Sequence, residues 1–225
     1  MWFVHHGLTE RGVKFDGSRI FACGGSGGGN VSLMANKLAP RTLTCIIDMC
    51  GMPKLSDDMA YNLPGGTKVN ARYVRDPADP RFLSPGRQEL LFVGNPRHAR
   101  IMHELGCTCA IVIVHGREDI ICPYDDAREM AANLQEAGLT VEPHWIGPDD
   151  LDGTVFKSAG HPLGNRTEIV FRVAGDLLAR DGARVAHRQG PTDFERGNEV
   201  VYPTTDGRYV ISYATGYPVG RFEAN

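Results

Sequence analysis

The stretch "IFACGGSGGGNV", residues 20–31, decides the reading of this chain. Five glycines surround one serine, Ser26. Glycine weakens helices and strands alike, so a cluster of this density marks a special backbone path. A dinucleotide-binding loop requires G-x-G-x-x-G. Counted from Gly25, the sixth position is Asn30, and the pattern fails. A P-loop ends in Gly-Lys-Ser/Thr, which Asn30 and Val31 do not supply. A flexible linker is excluded by the strand and helix signals on either side. What fits is Gly24-Gly25-Ser26-Gly27-Gly28, a G-x-S-x-G pattern placed between a strand and a helix, as a nucleophile elbow requires.

The flanks set the context. "SRIFACGG" is a short apolar run ending in glycine, the form of a buried parallel strand. After the glycines, Val31, Met34, Ala35 and Leu38 recur at helical spacing, and Pro40 ends that helix. "LTCIIDMCG", "CTCAIVIVHG" and "TVEPHWIG" read as further strands. Between the last two, Ala127, Met130, Ala131 and Leu134 form one face of a helix closed by Gly138. "NRTEIVFRVAGDLLAR" opens with Asn165 and Glu168 in a capping arrangement and carries Ile169, Val173 and Leu177 on one stripe. This alternation predicts an α/β fold, a mostly parallel sheet with helices on both faces. Residues 1–180 are expected to form that core, with 51–106, rich in Pro and Gly, as a cap-like insertion. Residues 181–225 are expected to form an extension with a β-hairpin around Asp206-Gly207.

A serine nucleophile needs a base, and the base needs an acid to orient it. In this fold class they follow in the order Ser, Asp/Glu, His. "VIVHGREDIICPYDD" places Asp119 just past the strongest strand, and "SAGHPLGNR" places His161 in the loop after the last strand. Gly27, following the serine at a helix start, is the expected oxyanion donor through its N–H. Asp48 is the rival for the acid position. Asp125 and Asp126 suit capping of the next helix, and Asp149, Asp150 and Asp152 suit a solvated acidic loop.

These blocks, "GGSGGG", "HGREDIICPYDD" and "GHPLGNR", resemble those of the α/β-hydrolase superfamily, in its prolyl-oligopeptidase-like and bacterial esterase branch. The likeness runs over roughly residues 15–180. It implies Ser26 as nucleophile, Asp119 as acid and His161 as general base, and it supplies no substrate, because this fold hosts many chemistries. The leading expectation is a serine hydrolase acting on a small-molecule or peptide ester or amide through an acyl-enzyme, without a metal or organic cofactor. The chain departs from that pattern at its start. Only 25 residues precede Ser26, and "MWFVHHGLTERGVKFDG" reads as the tail of the helix before the elbow strand. The N-terminal strands and the loop that donates a second oxyanion N–H are expected to be lacking, leaving an open edge at "RIFACGG" for the hairpin or a second copy of the chain to cover. An impaired hydrolase-like binding or scaffold protein is the alternative. A phosphate-binding protein is a third reading, without a Lys or acidic partner at motif spacing.

Composition narrows the field. A formal net charge of −3 gives no basic surface for nucleic acid. No apolar run approaches the roughly 18 residues of a membrane helix, and the N-terminus lacks a signal peptide's apolar centre. A cytoplasmic location is therefore expected. The six cysteines lie in or beside apolar runs and read as reduced core thiols rather than metal ligands.

Overall fold

The structure, a computed structural model, describes residues 2–64, 71–185 and 187–225, with the backbone alone at Trp2 and His5. Helix α1 (Trp2–Glu10) precedes strand β1 (Phe21–Gly25), helix α2 (Gly27–Leu38) and strand β2 (Cys45–Met49). Helices α3 (Asp57–Tyr61), α4 (Pro85–Leu91) and α5 (Pro96–Glu104) lead to strand β3 (Ala110–Gly116). Helix α6 (Tyr124–Glu136), strand β4 (Val141–Ile146) and helix α7 (Arg166–Leu178) complete the first part. A short helix α8 (Asp193–Arg196) leads to strands β5 (Glu199–Thr204), β6 (Gly207–Ser212) and β7 (Val219–Ala224).

Strands β1 to β4 form one parallel sheet in sequence order. Side chains alternate across a strand, and the core follows that parity. Ile46, Ile111 and Ile113 face α2, α5 and α6 through Leu33, Met102, Met130 and Leu134. Cys45, Ile47, Val112 and Val114 face α7 through Ile169, Val173 and Leu177. Because both faces are covered, β2 and β3 are apolar without alternation, which is why they are visible in the sequence. Among the described residues β1 pairs only with β2, and an open groove of about 850 Å³ runs beside it, lined by Leu8 and Val4 of α1 and by Phe15, Ile20 and Phe21.

The connection from β2 to β3 serves two layers. Helix α5 joins the core under the sheet through Ala99 and Met102. Leu55, Met59, Ala60 and Leu83 gather into a small separate cluster. Residues 65–70 of the expected cap-like insertion lie outside the described residues.

Helix α2 corrects the expected apolar stripe. Its buried face is Gly29, Ser32, Leu33, Asn36 and Lys37, whereas Val31 is exposed. The reason is the C-terminal sheet. Strands β5, β6 and β7 are antiparallel, so the expected hairpin gains a third strand, and its two-residue turn is Thr205-Asp206 rather than Asp206-Gly207. Tyr202 and Tyr213 of this sheet enter the same core as Leu33 and Ile46. Their hydroxyls donate to the carbonyls of Lys37 and of Leu38 (2.8 Å for the latter), which are free at the helix end. Lys37 is buried because its ammonium donates to the carbonyls of Leu90 and Phe92, both at 2.7 Å, at the end of α4.

The tyrosine contacts predict a measurable cost. Tyr213→Phe leaves the Leu38 carbonyl without a partner in a buried setting, and should lower stability by about 1 kcal/mol in urea unfolding with an unchanged m value.

Candidate active site

Ser26 lies between β1 and α2 with φ 56° and ψ −124°, a conformation costly for any residue but glycine. Two contacts hold it there. Its N–H donates to Met49 O of the neighbouring strand at 3.0 Å, and Asn30 N–H donates to Ser26 O at 3.2 Å to start the helix. The turn is so tight that a β-carbon at Gly24 would lie 2.2 Å from the Gly28 carbonyl oxygen. Gly28 itself faces open space, so of the two flanking glycines only Gly24 supplies clearance. Ser26 is half-buried, and its hydroxyl makes no hydrogen bond among the described residues. Gly27 is exposed at the first helical position, where N–H groups have no partner within the helix.

Asp119 and His161 meet. His161 Nδ1 lies 2.8 Å from Asp119 Oδ2. A carboxylate only accepts, so Nδ1 carries the hydrogen and Nε2 is left as the free acceptor. The second oxygen of Asp119 accepts from the N–H groups of Ile121 (2.8 Å) and Cys122 (3.0 Å). These bonds fix the carboxylate, which is 4% exposed. The two loops are also joined through the backbone: Glu118 N–H donates to Ala159 O at 2.9 Å. That approach needs glycine at 116, where a β-carbon would stand 2.1 Å from the same Ala159 oxygen.

The His161 loop is a compact structure of its own. Phe156 and Gly164 pair as an antiparallel bridge, and Lys157 and Ser158 both donate to Leu163 O, at 2.7 and 3.0 Å. Leu163 is buried with φ 55°. Asp152 anchors the approach by accepting from the N–H groups of Thr154, Val155 and Phe156 and by pairing with Arg172. The first of these bonds is the largest cause holding its carboxyl below the usual range. Asp152 therefore organises a turn, a role that its place in an acidic run conceals. Asp125 and Asp126 sit in the first turn of α6 behind Pro123 at the cap, and Asp126 pairs with Lys54 at 2.9 Å.

Two further groups surround the pair. His115, buried at the end of β3, shares the hydrogen of Nε2 with Cys122 O at 2.8 Å and stands 3.4 Å from Asp119 Oδ2; burial pulls its pKa down. Cys50, also buried and with φ 51°, places its thiol so that the ligand atoms of Cys50, Asp119 and His161 lie within 4.8 Å of one another. Burial first, then the nearby Asp119, pushes that thiol far up in pKa and keeps it protonated. With the thiol protonated and the His161–Asp119 bond formed, the cluster reads as an acid–base pair with a neutral thiol beside it. In the sequence Cys50 is indistinguishable from the core thiols.

Asp48, the rival acid, is not joined to His161. It is fully buried on β2, under the first turn of α2, where a β-carbon on Gly29 or Gly51 would lie 2.0 or 2.1 Å from its Oδ1. Neither oxygen has a well-formed hydrogen bond among the described residues, and the Gly51 N–H offsets the burial only in part. Burial raises its pKa to about 7.

Comparison with known proteins places this arrangement. The profile of a family described as "Protein of unknown function (DUF2920)" matches residues 4–216. The chain belongs to the DUF2920 family. No curated relative matches the sequence. Among solved structures it superposes on a puromycin-hydrolyzing peptidase of Mycobacterium tuberculosis with a TM-score of 0.52 and 17% identity, over 77% of this chain and 23% of that one. An acylaminoacyl peptidase of Pyrococcus horikoshii gives 0.54 and 15%, over 79% and 27%. A puromycin hydrolase gives 0.51 and 19%, over 79% and 23%. The chain thus spans about a quarter of the length of each of these proteins. The fold of this DUF2920 member is that of the α/β-hydrolases. Among the described residues no helix is long and apolar enough to cross a membrane.

Asp48 gives this site a pH signature. An ordinary Asp releases its proton near pH 4, so between about pH 4 and 7 the unfolded chain has lost a proton that the folded chain still holds. The contribution of Asp48 to stability should be greatest below that window and fall as pH rises through it, by an amount on the order of 4 kcal/mol at most, against the opposite contribution of buried His98, whose pKa burial lowers to about 4. Asp48→Asn should remove that slope, read by urea unfolding at a series of pH values.

Proposed function

We propose that this protein is a serine hydrolase that cleaves an ester or amide through an acyl-enzyme, with Ser26 as nucleophile, His161 as general base and Asp119 as the acid that orients it. The observation that carries the proposal is the 2.8 Å His161–Asp119 bond at the same carboxyl end of the sheet as the left-handed Ser26. That the proteins of similar fold are peptidases and a puromycin hydrolase agrees with it.

The chemistry follows from these groups. Ser26 Oγ attacks the substrate carbonyl carbon while His161 Nε2 takes the hydroxyl proton. The negative charge gathers on the former carbonyl oxygen, where the Gly27 N–H at the start of α2 stabilises it. Asp119 holds the imidazole in one tautomer and stabilises its cation. His161 then returns the proton to the leaving oxygen or nitrogen as the tetrahedral intermediate collapses. Water, deprotonated by His161, attacks the acyl-Ser26 ester, and its collapse frees the acid and restores the serine. Catalytic hydrogen bonds often close only around substrate, which accords with a Ser26 hydroxyl that has no partner among the described residues.

The test is covalent labelling by a fluorophosphonate probe. The wild type should be labelled at Ser26, Ser26→Ala should show no label, and Asp119→Asn should react on the order of 10⁴-fold more slowly. A folded wild type that is never labelled would remove the basis for the proposal.

A further inference from the structure

Four arginines of the described residues are half-buried: Arg19, Arg41, Arg166 and Arg188. Three have acceptors. Arg19 donates to the carbonyl of Leu178 at 2.9 Å, Arg41 pairs with Asp193 at 2.8 Å, and Arg188 donates to Gly17 O at 2.7 Å. Arg166 alone has no hydrogen bond or ion pair among the described residues. It stands at the start of α7, five positions after His161, and its guanidinium lies against Gly25, the residue preceding Ser26. A β-carbon on Gly25 would fall 2.3 Å from Arg166 Nη1 and 2.6 Å from Cζ. Glycine at the variable position of the G-x-S-x-G pattern leaves the space in which the guanidinium, the movable end of Arg166, lies against the turn.

We propose that Arg166 is a specificity-determining residue that holds a free carboxylate of the substrate, so that the esters or amides cleaved at Ser26 carry a negative charge near the scissile bond. The inference rests on the serine-hydrolase reading of Ser26. A guanidinium cannot lose its charge at ordinary pH, and it presents a flat fork of donors that fits a carboxylate with two parallel bonds. Held half out of water with no acceptor from the protein, that fork is an unspent set of donors beside the nucleophile. The two buried carboxyls of the site do not neutralise it: Asp119 is bonded to His161, and Asp48 faces Gly29 and Gly51 and forms no ion pair among the described residues. Cys23 is exposed on β1; burial and then Asp48 raise its thiol pKa, and the charge of Arg166 opposes them. The oxyanion has a separate donor in Gly27, on the helical side of Ser26, so Arg166 and Gly27 flank the serine from opposite ends.

The experiment compares two p-nitrophenyl esters of similar length, the monoester of glutarate with a free carboxylate and the neutral butyrate. The quantity read is the ratio of their kcat/KM values, which cancels differences in the active fraction between preparations. The wild type should favour the charged ester, and Arg166→Gln should lower the ratio about 10- to 100-fold, chiefly through KM, as loss of charged hydrogen bonds implies. Arg166→Lys, which keeps the charge without the fork, should fall between the two. A ratio unchanged in Arg166→Gln, or no preference in the wild type, would overturn the proposal. Calorimetric titration with glutarate needs no turnover and separates this claim from the catalytic one. Glutarate binding that is lost in Arg166→Gln, in a protein that hydrolyses neither ester, would retain the carboxylate site and remove the hydrolase. Absence of glutarate binding to the wild type would count against the site itself.

Discussion

The left-handed backbone of Ser26 is the constraint from which the rest of the site follows. A chain leaving a parallel strand must reverse direction at once if its next residues are to start a helix packed on the same sheet. At Ser26 it does so in one residue, at φ 56° and ψ −124°. Such strain persists only where the surroundings over-determine it. Here the bond to Met49 O, the start of α2 and the packing of Gly24 against Gly28 do so. The consequence is geometric. The serine stands at the tip of the turn with a helix start behind it, and free N–H groups lie next to the hydroxyl.

The sheet brings Asp119 and His161 together by the same logic. Parallel strands all end on one side, so the loops after β1, β3 and β4 converge. Convergence alone would leave Asp119 and His161 adjacent but loose. The bonds from Ile121 and Cys122 N–H and the close approach of Gly116 to Ala159 turn adjacency into a 2.8 Å contact. The region also carries a cost. Asp48 is a buried carboxyl without a well-formed hydrogen bond among the described residues, and Cys50 and Ser26 both hold positive φ. The C-terminal sheet offsets such costs elsewhere by closing the free end of α2 with Tyr202 and Tyr213.

Much of this was legible in the sequence because it is local. The glycines around Ser26, the uninterrupted apolar run of β3 and the position of Asp119 just past it are properties of short segments. His161 could be named because it follows the last strand. What was hidden depends on contacts between distant segments. Lys37 and Asn36 look like a solvent face of α2 and are buried: Lys37 lies over the Tyr202 ring with its ammonium on the Leu90 and Phe92 carbonyls, and Asn36 meets Cys107. Strand β7, "VGRFEA", is mostly exposed on both sides and shows no alternation to read. Cys50 and Arg166 have no sequence signature at all: one resembles a core thiol, the other a surface charge at a helix start, and only the fold brings them to Asp119 and Gly25.

The most direct measurement is a crystal structure of the protein with phenylboronic acid, which forms a reversible tetrahedral adduct with an activated serine. Boron should be bonded to Ser26 Oγ, with the serine still at positive φ, one boronate oxygen within about 3 Å of the Gly27 N–H, and His161 Nε2 in contact with the adduct. An unmodified Ser26 with its backbone relaxed to negative φ, and the boronate absent from the carboxyl end of the sheet, would contradict this.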